Sequence, residues 1–156
     1  EKQRMSLYKQ FKTDEALETD GIWIEYGTTD AGQPIRIKIA RAGGRNTAFS
    51  KALERATRPY RKAIQTGTLD NKTADNLYKD VFAETVVLGW TNVEDQDGQP
   101  MEFKKENVVK LFDDLPDLFN DLREQAANVA LFREEVLEND LGNSGKSSAT
   151  GSSKGR

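Results

Sequence analysis

The sequence predicts an α+β domain that is mainly helical. Two β-rich runs sit side by side between residues 21 and 40. From residue 46 almost to residue 139, apolar residues return at the 3.6-residue spacing of helices. The chain has 156 residues, 36% of them apolar and 31% charged, which is one domain's worth of core under a polar surface. The expected layout is an N-terminal arm over residues 1–20, a single domain over residues 21–142 and a flexible Ser/Gly tail over residues 143–156. Within the domain we expect a β-hairpin, about four helices and a small second hairpin.

In the arm, Met5 reads as a natural start, with Glu1 to Arg4 ahead of it. Leu7, Tyr8 and Phe11 form an apolar stripe that suits one helical turn or a docking arm. Gly21 to Gly27 (GIWIEYG) is β-rich and bounded by glycines, and Pro34 to Ala40 alternates apolar with basic residues. That period of two places Ile35, Ile37 and Ile39 on the inner face of a hairpin whose loop contains Asp30-Ala31-Gly32. Asn46 suits an N-cap. Phe49, Ala52, Leu53, Ala56, Tyr60, Ala63 and Ile64 then share a helical face as far as Gly67, with a kink or a break expected near Thr57 because Pro59 has no amide hydrogen. Asp70 caps the next helix, which carries Ala74, Leu77, Tyr78, Val81, Phe82 and Thr85 and is expected to run to about Leu88.

Two short arms follow, joined by a turn at Asp97-Gly98, with Val93, Met101 and Phe103 turned to the core beside Trp90. A short helix is expected over residues 107–112. Asp114 then caps a last helix with Pro116 in its first turn. Its stripe is Leu115, Leu118, Phe119, Leu122, Ala126, Val129, Ala130, Val136 and Leu137, ending near Asn139. Residues 143–156 hold one apolar side chain, Ala149, and cannot contribute to a core.

The chain contains neither cysteine nor histidine. Disulfides, thiolate nucleophiles, Ser-His and Cys-His catalysis and Cys-ligated metals are thereby excluded. No apolar run approaches the roughly 20 residues that cross a bilayer, and no stretch reads as a secretory signal. The acidic string Asp113, Asp114, Asp117, Asp121 and Glu124 reads as a solvated helix start, where acids favour the helix dipole. Asp95-Gln96-Asp97-Gly98 has the look of a calcium loop, but with Gly98 at its sixth position the first is Val93 and the twelfth Lys104, and neither can ligate the ion. Gly43-Gly44-Arg45-Asn46-Thr47 lacks the spacing of a phosphate-binding P-loop and reads as a strand end before a helix cap. We therefore expect no enzyme, no metal and no cofactor.

Charge is unevenly placed. Residues 1–64 carry +5, residues 65–142 carry −11, and the tail adds +3. Nine Lys or Arg and one acid, Glu54, fall between Arg36 and Lys62. Lys51, Arg55, Arg58 and Lys62 repeat at helical spacing and form a stripe suited to an acidic protein surface or a neighbouring subunit. Nucleic acid is the alternative partner, but no recognisable motif accompanies the stripe.

The order Gly89-Trp90, Val93, Asp95, Asp97-Gly98, Phe103, Glu106-Asn107 and Leu115-Pro116-Asp117-Leu118 resembles the tail assembly chaperones of long-tailed, non-contractile bacteriophages. Lys105 departs from that pattern, which has a small hydroxyl residue there. The resemblance covers roughly residues 5–142. It implies a non-catalytic protein of the host cytoplasm, not kept in the mature virion. Such a protein binds the tape measure protein, helps recruit tail tube subunits, and is often made also in a longer, frameshifted form, to which the Ser/Gly tail fits as a linker. The candidate contacts are Leu118, Phe119 and Leu122, with Tyr60 and Phe132, and separately the basic stripe. Self-association is a further expectation. The alternatives are a structural tail component, such as a tube-end or completion protein, and a basic-face nucleic-acid binder.

Overall fold

Alternating isoleucines start the fold. The computed structural model describes residues 6–133, and in it β1 (Ile22–Thr28) and β2 (Pro34–Ile39) pair antiparallel with Ile22 opposite Ile39 and Ile24 opposite Ile37. Ile37 and Ile39 are buried, and Ile35 is half-buried beside them. Trp23, Glu25 and Arg36 point the other way and are exposed, so helices cover one face of the sheet only.

The helices are α1 (Leu7–Phe11), α2 (Glu15–Asp20), α3 (Thr47–Thr57), α4 (Arg61–Gln65), α5 (Asn71–Thr85), α6 (Lys105–Asp114) and α7 (Pro116–Ala127). The kink or break expected near Thr57 is a 3-10 turn, Arg58–Tyr60, between α3 and α4. Asp70 caps α5, its carboxylate accepting from the Thr73 amide and hydroxyl. Phe49 of α3, Phe82 of α5, Phe119 of α7 and Phe112 of α6 are linked ring to ring, with centroids 5.7, 5.6 and 4.7 Å apart along that series. This aromatic column joins the helical layer and packs on the isoleucine face of the sheet.

Three expectations needed correction. The helix from Asp70 ends at Thr85, not Leu88, and Val87–Thr91 forms β3, which pairs antiparallel with β2 in the order β1-β2-β3. The residues that leave the helix, Val86 and Val87, are β-branched, and β2 offers them a free edge with Ile39 facing Val87. Gly89-Trp90 therefore lies in a strand rather than at a helix end. The last helix stops at Ala127. Asn128 is extended there, and its side chain accepts from the Ala130 amide to start a second 3-10 turn, Val129–Phe132. Val136, Leu137 and the tail lie outside the described residues. Asp114 does not cap α7; it pairs with Lys110 at 3.0 Å, and Leu115 holds the cap position without a side-chain bond. The arm also contains α2, which its few apolar residues did not announce, started by an Asp14 cap on the Ala16 amide.

Candidate functional site

Aspartates and glycines that invite a chemical reading have local tasks. Asp95 Oδ1 accepts from the amides of Asp97 and Gln99, each at 2.9 Å, and Gly98 takes φ +80°, as a tight turn requires. The flanking arms meet through a bridge between Glu94 and Pro100, and Trp90 Nε1 donates to the Met101 carbonyl at 2.9 Å. Val93 is buried as expected, but Phe103 is exposed and lies edge-on to Trp90 instead of facing the core. In the acidic string, Asp113 pairs with Lys79 at 3.0 Å, and Asp121 accepts from the Tyr26 hydroxyl at 2.5 Å. Burial raises the Tyr26 phenol above its ordinary value, and the Asp121 carboxylate adds to that shift. Among the described residues, no three acids converge as a metal would need.

The Gly43-Gly44 loop holds an anion, and the anion is the chain's own. Glu18 of α2 is fully buried, and its carboxylate accepts from the Thr13 hydroxyl, from Arg41 Nη1 at 3.1 Å and from the Arg45 amide at 2.8 Å. Burial by itself raises the Glu18 pKa, but these three donors and the Arg41 charge outweigh it, and the carboxyl sits below its ordinary value of 4.5. Gly44, at φ +54°, has no room for a side chain: a Cβ there would stand 2.6 Å from Arg41 Nη1. Asn46 is buried and donates to the carbonyls of Arg41 and Thr85, at 2.8 and 3.1 Å, instead of capping α3. The end of α5 supplied an unpaired carbonyl that this amide satisfies.

The predicted partner contacts separate into buried and open groups. Phe119, Leu122 and Phe132 are 2%, 0% and 0% exposed. They are core, because the face that their spacing defines is covered by α5, α6 and the sheet, and they offer nothing to a partner in this conformation. Leu118 is half-buried and Tyr60 is 37% exposed. Lys51, Arg55, Arg58 and Lys62 are all exposed. Arg55 pairs with Glu84 at 2.9 Å, and Arg58 and Arg61 both reach Glu54, at 2.6 and 3.3 Å. Among the described residues, Lys51 and Lys62 have no carboxylate within 4.0 Å. The stripe continues through the 3-10 turn into α4, where Ile64 is 45% exposed, so the basic segment also carries two apolar anchors.

Leu118 borders the feature that the sequence did not announce. A hollow of about 430 Å³ opens between the sheet and helices α6 and α7, with Tyr26, Ile35, Val93, Leu111, Leu115 and Leu118 in its wall. On the other side of Leu111 and Leu115 lies a second hollow of about 420 Å³, floored by Met101 and rimmed by Glu94, Asp95, Asp97 and the Lys110–Asp114 pair. Together they form an open apolar trough with an acidic border. Leu115, on the ridge between them, is 49% exposed. The α6–α7 corner was legible as Leu-Pro-Asp-Leu; the non-local meeting of that corner with β2 and the Asp95 turn was not.

Residues 44–143 match the family described as YdaY prophage protein. The chain belongs to that family. Its origin is therefore a phage. The match begins in the Glu18-binding loop and takes in the basic segment, β3, the Asp95 turn and the trough-forming corner of α6 and α7. No curated protein and no solved structure is significantly similar to this YdaY family member.

Proposed function

We propose that this phage protein is a non-catalytic tail assembly chaperone that binds the tape measure protein and helps recruit tail tube subunits in the host cytoplasm. Phage origin supports the setting, and the order of residues from Gly89 to Leu118 supports the class. The single observation that carries the reading is the open trough along Leu115 and Leu118. An amphipathic helix binds by laying an apolar stripe in such a groove, and the acidic border favours a client stripe flanked by Lys or Arg. The tape measure protein, a long helical client, offers such stripes repeatedly, so weak contacts accumulate along it.

Co-expression with the tape measure protein of the same prophage tests this. The chaperone reading expects the client to stay soluble and to co-purify with the chain, and the chain to be missing from purified virions. A client that is equally soluble without the chain overturns the reading. Recovery of the chain in stoichiometric amounts from virions would make it a structural tail component instead.

A further inference from the structure

The exposed segment from Arg58 to Gln65 and the acidic hollow beside Asp97 are complementary in both charge and polarity. The segment forms the 3-10 turn and α4, and every residue in it is exposed except half-buried Ala63. It presents Tyr60 and Ile64 between Arg58, Arg61 and Lys62. The hollow presents an apolar floor of Met101, Leu111 and Leu115 inside a rim of four carboxylates and one cation, Lys110, which pairs with Asp114 and leaves Glu94, Asp95 and Asp97 without a cationic partner among the described residues. No ion pair joins the two surfaces within the chain, among the described residues. The pairs that hold the segment's arginines to Glu54 are exposed and screened by water, so they exchange readily for other carboxylates.

We propose that the hollow is occupied by the Arg58–Gln65 segment of a second copy of this chain, with Tyr60 and Ile64 on the Leu111–Leu115 floor and Arg61 and Lys62 against Glu94 and Asp97. Each copy carries one segment and one hollow, so the contact is between unlike surfaces. It is small and electrostatic, hence salt-sensitive and concentration-dependent. The inference goes beyond the chaperone reading and does not require it, because the contact forms in the purified chain without a client; a client lying along Leu115 would displace the segment, since the two share that floor.

Sedimentation of the whole chain tests it, from about 1 to about 200 μM, a range that brackets the affinities of small interfaces. The wild type is expected to exceed the monomer mass at the upper end and to return to it in ~1 M salt, where the Debye length is about 3 Å. A segment variant, Arg61→Glu with Lys62→Glu, and a rim variant, Glu94→Lys with Asp97→Lys, are each expected to stay monomeric. Mixed one to one, they offer one intact segment–hollow pair and one charge-reversed pair, and are expected to associate with each other. Tyr60→Ala, which leaves the charges in place, is expected to weaken wild-type association at least tenfold. A wild type that is monomeric throughout, variants that associate as the wild type does, or a mixture that stays monomeric overturns the proposal. Client co-purification is read separately, so a chaperone that is strictly monomeric and a self-associating chain without a client give different results.

Discussion

Glu18 shows how much one side chain can organise at the residue scale. It ties α2 to the loop between β2 and α3 by taking donors from Thr13, Arg41 and Arg45. Glu18→Gln keeps the shape but removes the charge and sets an amide NH2 against donors, so it should cost about 1–3 kcal/mol in chemical denaturation. The pH dependence follows in sign. A carboxyl whose pKa is depressed in the folded state stabilises fully above its unfolded value of 4.5 and loses that contribution as pH falls through the folded value. Wild-type stability should therefore drop below about pH 4.5, with a shallower slope in Glu18→Gln; equal slopes would show that the carboxylate is not the titrating group. Gly44→Ala should destabilise too, since it meets both a positive φ and the Arg41 guanidinium. Neither role was legible in the sequence. Glu18 is one acid among several in its segment, and two of its three partners lie 23 and 27 residues away.

At the scale of elements, what depends on neighbours in the chain was legible and what depends on distant packing was not. The hairpin, the break at Pro59, the Asp70 cap and the turn at Gly98 each follow from residues within a few positions. The third strand does not: Val86, Val87 and Leu88 continue an apolar run out of a helix, and only the open edge of β2, some fifty residues earlier in the chain, makes a strand of Val87–Thr91. The stripe containing Phe119 and Leu122 was visible, but spacing cannot tell a face that is covered from one that waits for a partner. Burial decides it. Phe119→Ala should cost about 3–5 kcal/mol and shift the denaturation midpoint accordingly, since the ring meets both Phe82 and Phe112. Leu115→Asp should leave stability unchanged or raise it by up to about 1 kcal/mol, because an Asp at an N-cap position can accept an α7 amide that Leu115 leaves without a side-chain partner.

Across the whole molecule, the charge polarity read from the sequence resolves into two separated surfaces. The basic half is mostly paired: Arg41 and Arg45 are held by Glu18 and Glu15, and Arg55 by Glu84. What it leaves to a partner is the segment around Tyr60 and Lys62. The acidic half borders the trough. A one-sided helical layer on a three-stranded sheet leaves that trough open at the corner between α6 and α7, and the family match runs through the same corner. The proposed chaperone role rests on these features.

Client binding by Leu115→Asp is the most direct measurement of that claim, because the substitution places a charge on the ridge of the trough while sparing the fold. The tape measure protein should co-purify with the wild-type chain and be lost, at least tenfold, from Leu115→Asp of unchanged thermal stability. Undiminished capture by a stably folded Leu115→Asp would contradict the assignment of the trough as the client site.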